Sequence, residues 1–212
     1  REPPHVPRKY ARGLLPITWD RKMLTELVQT SNLFSLLHRI DIDLATQQQQ
    51  SGCPFCGGPL HYSTYQRQPR GGPSDLPDKY LTRFSLCCGR EDCRRRTLPP
   101  SVLFMGRRVY WGSVILVILT LRQSNPQETS KAMLMRLFDV SRLTINRWFS
   151  YFNEVFPTNQ QWRVLRGRIG FLDQQIGMPG SVLNYFIKSS KKAEDGLVKC
   201  LRFLSLVWIQ AK

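Results

Sequence analysis

Six cysteines are unevenly spread along the 212 residues: Cys53 and Cys56 in "CPFCGG", Cys87, Cys88 and Cys93 in "LCCGREDC", and Cys200 near the end. No other feature restricts the fold as much. A Cys-x-x-Cys loop followed by glycine turns tightly enough to aim two thiolates at one metal, and the glycine allows the positive φ of that turn. A second group further along the chain can complete a closed tetrahedron, which leaves no open position for catalysis. Five cysteines compete for four places. Cys53, Cys56 and Cys93 are assigned directly. Alternation along "FSLCC" puts Cys87 and Cys88 on opposite faces if the strand continues that far. Cys88 precedes Gly89 as Cys56 precedes Gly57, so the expected set for one structural Zn2+ is Cys53, Cys56, Cys88 and Cys93. The cysteine left over becomes a small buried residue or a spare thiol. A redox pair of the thioredoxin type would require a surrounding βαβ pattern, which is missing. His61 is assigned a polar or stacking role, and Cys200 a place in the core.

Between the two groups, "LHYSTYQ" and "YLTRFSL" are rich in β-branched and aromatic residues and read as strands. "RQPRGGPSDLPD" joins them as a long turn-rich loop, and Pro99 and Pro100 end the unit. Two strands between two cysteine pairs is the layout of a zinc ribbon, here residues 51–100. Arg94, Arg95 and Arg96 follow the second cysteine loop, where a metal-pinned backbone would present guanidinium groups to phosphates with little loss of entropy. Tyr62, Tyr65, Tyr80 and Phe84 offer rings that could stack on RNA bases, although packing inside the ribbon accounts for most of them.

The remainder reads as helix, giving a mainly α protein with a small β zinc ribbon. Residues 1–50 are expected to form a basic arm and amphipathic helices, broken near residues 30–32, with "TQQQQSG" as a polar linker. The run "WGSVILVILTL" is too short to span a bilayer and reads as a buried helix within 109–123. Ser124 or Asn125 ahead of Pro126 and Glu128 resembles a helix start. A further helix is expected over 143–156, ending at Pro157. Residues 159–212 form a C-terminal helical segment, ambiguous over 160–176.

Net charge is +16, with 31 basic against 15 acidic residues. Such an excess calls for an acidic partner, most often nucleic acid. Residues 101–170 hold ten of the basic and three of the acidic groups, so the nucleic-acid surface is sought there, with Arg107, Arg108, Arg163, Arg166 and Arg168 as phosphate contacts. The N-terminal stretch has no apolar signal region. Together with clustered thiols, that gives an expectation of a cytoplasmic, nucleoid-associated protein without membrane attachment.

"MRLFDVSRLTINRW", residues 135–148, is the second informative stretch. Met135, Leu137 and Phe138 are assigned to the buried face of one helix. Asp139 stands where such a turn often has glycine, Val140 plugs the core, and Ser141 caps the next helix. Ile145 and Trp148 then face inward, leaving Ser141, Arg142, Thr144, Asn146 and Arg147 toward DNA. In a helix-turn-helix this second helix enters the major groove, where Asn reads adenine and Arg reads guanine. The run resembles the helix-turn-helix of many bacterial regulators and transposases, in which Val-Ser-x-x-Thr-Val-x-Arg-Trp recurs. "VSRLTINRW" has Ile for the second Val, and Asp139 replaces the usual Gly. Ribbon, prolines, apolar helix and helix-turn-helix in this order are similar to the N-terminal region of bacterial insertion-sequence transposases, over residues 53–156. The resemblance implies double-stranded DNA as partner, an accessory or targeting role in transposition, and association with a recombinase, another mobile-element protein or a second copy.

Catalysis is harder to place. A transposase of that kind cuts DNA with three carboxylates and two metals. After residue 156 the acids are Asp173, Glu194 and Asp195, without a strand-rich pattern, and His5, His38 and His61 form no pair. No catalytic constellation is recognisable. A binding protein is therefore expected, with a compact or truncated recombinase, or a transcriptional regulator, as the alternatives.

Overall fold

A computed structural model describes residues 21–208 except 107, 125, 128 and 174. Residues 1–20, which include the expected N-terminal arm, and Arg107 lie outside the described residues. Eight α-helices and five short strands follow the chain: α1 (Arg21–Leu27), α2 (Ser31–Gln50), β1 (Leu60–Tyr62), β2 (Tyr65–Gln66), β3 (Thr82–Arg83), β4 (Leu86–Cys88), β5 (Arg96–Thr97), α3 (Gly112–Ser124), α4 (Lys131–Phe138), α5 (Arg142–Ser150), α6 (Gln160–Arg166), α7 (Gly180–Lys188) and α8 (Ala193–Trp208). The fold is mainly helical with small antiparallel sheets. None of the described helices is long and apolar enough to cross a membrane.

The apolar run of the sequence becomes the hub. Every residue from Gly112 to Leu121 in α3 is buried, because α1, α4, α5, α7 and α8 pack around it. At its N-terminal end Trp111 meets Phe34 of α2 edge-on at 4.8 Å and stacks on Phe104 at 5.4 Å. At Gly196 of α8 an added Cβ would lie 2.6 Å from the Cα of Ile187, so only glycine permits α8 to approach α7 this closely.

Several elements depart from the sequence expectation. The glutamine run is helical: α2 extends to Gln50, since glutamine favours helix and Gln49 Nε2 finds the Leu60 carbonyl at 3.2 Å. Each expected strand is broken in two. β1 pairs with β4, which pairs with β5, while β2 pairs with β3 in a separate ribbon. The proposed helix start at residues 124–128 is not used. α3 continues through Ser124, and α4 begins at Lys131 with Ser130 accepting from the Met133 amide at 3.2 Å. α5 ends at Ser150, but the chain coils on through a π turn at Tyr151–Val155 and a 3-10 turn at Phe156–Thr158. The ambiguous stretch contains α6, capped by Asn159, whose Oδ1 accepts from the Gln161 amide at 2.8 Å.

Polar contacts fix the border between the cysteine unit and this body, those of Asp41 and Arg83 being buried. Asp41 of α2 accepts from the Ser101 hydroxyl at 2.5 Å and from the Val102 amide at 2.7 Å. Arg83 donates to the Pro99 carbonyl at 2.6 Å, and Arg67 to the Gly106 carbonyl at 2.6 Å. The loop after β2 lies against α3: Gly71, with φ +86, would place a Cβ 2.9 Å from Val114.

Candidate functional site

The four cysteines assigned from sequence come together. The sulfurs of Cys53, Cys56, Cys88 and Cys93 all lie within 4.8 Å of one another, and among the described residues they form the one group able to hold a metal ion. Two Sγ–Sγ separations are 3.8 Å (Cys53 and Cys93) and 3.5 Å (Cys56 and Cys88). Tetrahedral zinc with Zn–S bonds of ~2.3 Å requires sulfur–sulfur edges of about 3.8 Å, so the donor set fits.

The local backbone explains this geometry. Cys53 N donates to the Gly58 carbonyl at 2.9 Å and Gly57 N to the Cys53 carbonyl at 2.8 Å, with Gly57 at φ +70. The turn leaves the Phe55 and Cys56 amides directed at the Cys53 sulfur. The second loop repeats the arrangement: Arg90 N is directed at Cys88, and Arg95 N at Cys93. Gly58 is needed for a different reason, because a Cβ there would sit 3.3 Å from the Cys88 sulfur and within 2.7 Å of the Arg90 side chain.

The sulfurs cannot all ionise by themselves. Loss of water opposes ionisation of Cys53, but the two amides and its sulfur neighbours outweigh it and bring the thiol down to about 7. The Arg90 amide favours the thiolate of Cys88, yet desolvation and the three neighbouring sulfurs push it up to about 12. Cys93 is likewise raised. A Cys53 thiol held down beside Cys88 and Cys93 thiols held up is the electrostatic condition that a divalent cation resolves.

Cys87 takes no part in the cluster. In the register Leu60↔Cys88, His61↔Cys87 it falls on the opposite face from Cys88, and its Sγ lies 3.5 Å from the Arg94 carbonyl. His61 is exposed beside Gly89. Cys200 is fully buried in α8, where loss of water raises its thiol well above the usual range.

The arginines differ from one another. Arg94, Arg95 and Arg96 are exposed. Arg95 lies 4.7 Å over the ring of Phe55, joining the two cysteine loops, and Arg96 reaches Ser63 Oγ at 3.2 Å. Arg108 is half-buried with its guanidinium 4.0 Å over Tyr151, and its carbonyl accepts from Arg67 at 2.5 Å. It is therefore engaged within the fold rather than offered freely to solvent. Arg163, Arg166 and Arg168 are exposed around α6.

α4 and α5 are joined by the short turn 139–141. Asp139 adopts φ +46 and ψ 51, the left-handed conformation for which glycine is usual, and its carbonyl accepts from the Tyr110 hydroxyl at 3.3 Å. Val140 is buried, and Ser141 caps α5 by accepting from the Thr144 amide at 3.1 Å. Ile145 and Trp148 face the core; Arg142, Leu143, Asn146 and Arg147 are exposed, and Thr144 is partly so. One assignment is corrected: Leu137 is 44% exposed, and Leu134 takes the buried place beside Phe138. The α4 positions i and i+4 face inward, and Leu137 lies off that stripe. Lys131 donates to Asn146 Oδ1 at 2.6 Å, a contact between the two helices that the sequence did not signal.

Compared with protein-family models, with curated proteins and with solved structures, the chain matches none.

Proposed function

We propose that this chain is a sequence-specific double-stranded DNA-binding protein in which zinc, held by Cys53, Cys56, Cys88 and Cys93, stabilises one part of the DNA-facing surface and α5 reads bases. The role is accessory or targeting, in the service of a mobile genetic element; the last clause rests on the resemblance of residues 53–156 to transposase N-terminal regions. The observation that carries the proposal is the division of α5: Ile145 and Trp148 anchor one side, while Arg142, Asn146 and Arg147 stand exposed on the other. The net charge of +16 supplies the attraction for a polyanion.

In this account zinc supplies no chemistry beyond fixing the two cysteine loops. Arg94, Arg95 and Arg96 then meet phosphates from a rigid backbone. Ser141 holds the N-terminus of α5 in place, and Arg147 and Asn146 contact base edges. Lys131 keeps the Asn146 amide oriented until bases replace it.

A duplex mobility shift titrated against salt tests this, with wild type, Cys53→Ser and Arg147→Ala. Affinity should fall steeply with salt. Arg147→Ala should cost about 1–3 kcal/mol on the preferred site and little on random duplex. Binding indifferent to salt, or a sequence preference left intact in Arg147→Ala, would remove α5 from the groove.

A further inference from the structure

One exposed side chain in the first turn of α5 carries no polar atom. The buried positions of this helix are Ile145 and Trp148. At about 100° per residue they lie roughly 200° and 140° around the helix from Leu143. Leu143 therefore points away from the middle of the buried face and stands at the crest of the exposed one, where it is 58% exposed. Asn146 and Arg147, both exposed, flank it at about 60° on one side and about 40° on the other. Arg142, also exposed, precedes it at the start of the helix. The neighbouring Thr144 is turned back: its hydroxyl is paired with Ser141 Oγ at 2.9 Å.

Two guanidinium groups and an amide thus surround one isobutyl group. An apolar protein surface laid on this crest would strip water from Arg142 and Arg147 without pairing them. In the major groove both find phosphates and base acceptors, and Asn146 finds a base edge. A leucine side chain neither donates nor accepts a hydrogen bond, so it can read only an apolar group. The major groove presents one, the 5-methyl of thymine. The N-terminal residues of a recognition helix are those that reach base edges, and Leu143 is the second residue of α5. We infer that Leu143 is a specificity-determining residue, packing on the 5-methyl group of a thymine in the site bound by α5. Leu143 precedes Asn146 by about 4.5 Å along the helix axis, close to one base-pair step of ~3.4 Å. With α5 along the groove, the thymine neighbours the base pair that Asn146 contacts. The inference rests on the DNA-binding function proposed above and adds an apolar contact to its polar ones.

The test starts from the duplex that wild type selects out of a random-sequence library. Each thymine of that duplex is replaced in turn by deoxyuridine, which deletes the methyl and keeps the base-pairing edge. Wild type, Leu143→Ala and Leu143→Met are titrated with the series by fluorescence anisotropy. At one position deoxyuridine should weaken wild type about fourfold, the contribution of one buried methyl. Leu143→Ala should bind the thymine and deoxyuridine duplexes alike, and random duplex within about twofold of wild type. Alanine is the better helix former and the position is exposed, so the fold tolerates it. Leu143→Met, which keeps an apolar contact, should retain the preference. A selected duplex without thymine, a deoxyuridine series silent at every position, or a methyl preference unchanged in Leu143→Ala would overturn the inference. The DNA function survives those results if Arg147→Ala still relaxes the selected sequence. Wild type that binds no duplex removes both.

Discussion

The cysteine unit and the helical body are stabilised in opposite ways. In the unit the buried cluster consists of Cys53, Leu60, Leu86 and Cys88, with Cys56 and Cys93 packed beside it. Two leucines cannot offset the conformational entropy of ordering two loops and three strands. In the body a helix buried from Gly112 to Leu121 is wrapped by five others, with Trp111, Phe34, Phe104, Phe138, Phe152 and Phe156 all essentially inaccessible. One region has little apolar area and a thiol cluster able to hold a metal ion; the other rests on apolar area. The same chain thus contains a part that a chelator should dissolve and a part that it should not touch.

The largest expected effect separates the two. Chelation of the metal, or Cys88→Ser, should abolish hydrogen-exchange protection over residues 53–62 and 86–97 and leave the helical circular dichroism nearly intact. Structural zinc contributes on the order of 10 kcal/mol to such units. Protection that persisted would show the small cluster to be sufficient alone. Conversely, Trp111→Ala should cost the body about 3–5 kcal/mol, read as a lower melting temperature, while the metal stoichiometry stays unchanged.

The clamp of α2 on residues 101–102, at the border of the two regions, gives a smaller, pH-dependent effect. Burial raises the Asp41 carboxyl to about 6, against the opposing hydrogen bonds from Ser101 and Val102 and the nearby Arg83. Between its unfolded value and about 6 the folded state holds more protons, so stability falls as pH rises through that window. The difference is about 3 kcal/mol at most. Denaturant melts of wild type and Asp41→Asn at pH 4.5 and 7 should show wild type losing stability over this interval more than the variant. Equal slopes would mean that Arg83 neutralises Asp41 throughout. The smallest effect is expected at the α4–α5 turn. Asp139→Gly relieves the left-handed backbone and should raise stability by up to about 1 kcal/mol, visible as a higher unfolding midpoint.

Sequence and structure agree most closely where chemistry is local. The Cys-x-x-Cys spacing and its glycines report a turn a few residues long, so the four clustered thiols, including Cys88 over Cys87, were legible without knowledge of the rest of the chain. The caps Ser141 and Val140's inward position were legible for the same reason, since both depend on one turn. The π turn after Ser150 and the continuation of α2 into the glutamines were not, because each helix end is decided by what it packs against. Gln49 is helical and paired to Leu60 only because β1 lies there.

By itself, then, the sequence determined the cysteine cluster, the buried apolar helix, the basic excess and the exposed face of α5. These follow from residue type and short spacing. The tertiary structure alone decided which arginines are engaged and which are exposed. Arg67, Arg83 and Arg108 are absorbed into carbonyl and aromatic contacts, whereas Arg94–Arg96, Arg142 and Arg147 remain at the surface. It also joined the Asp41 clamp across some sixty residues. Side chains distant in the chain acquire partners only when helices and loops are packed, and no periodicity or spacing encodes that meeting.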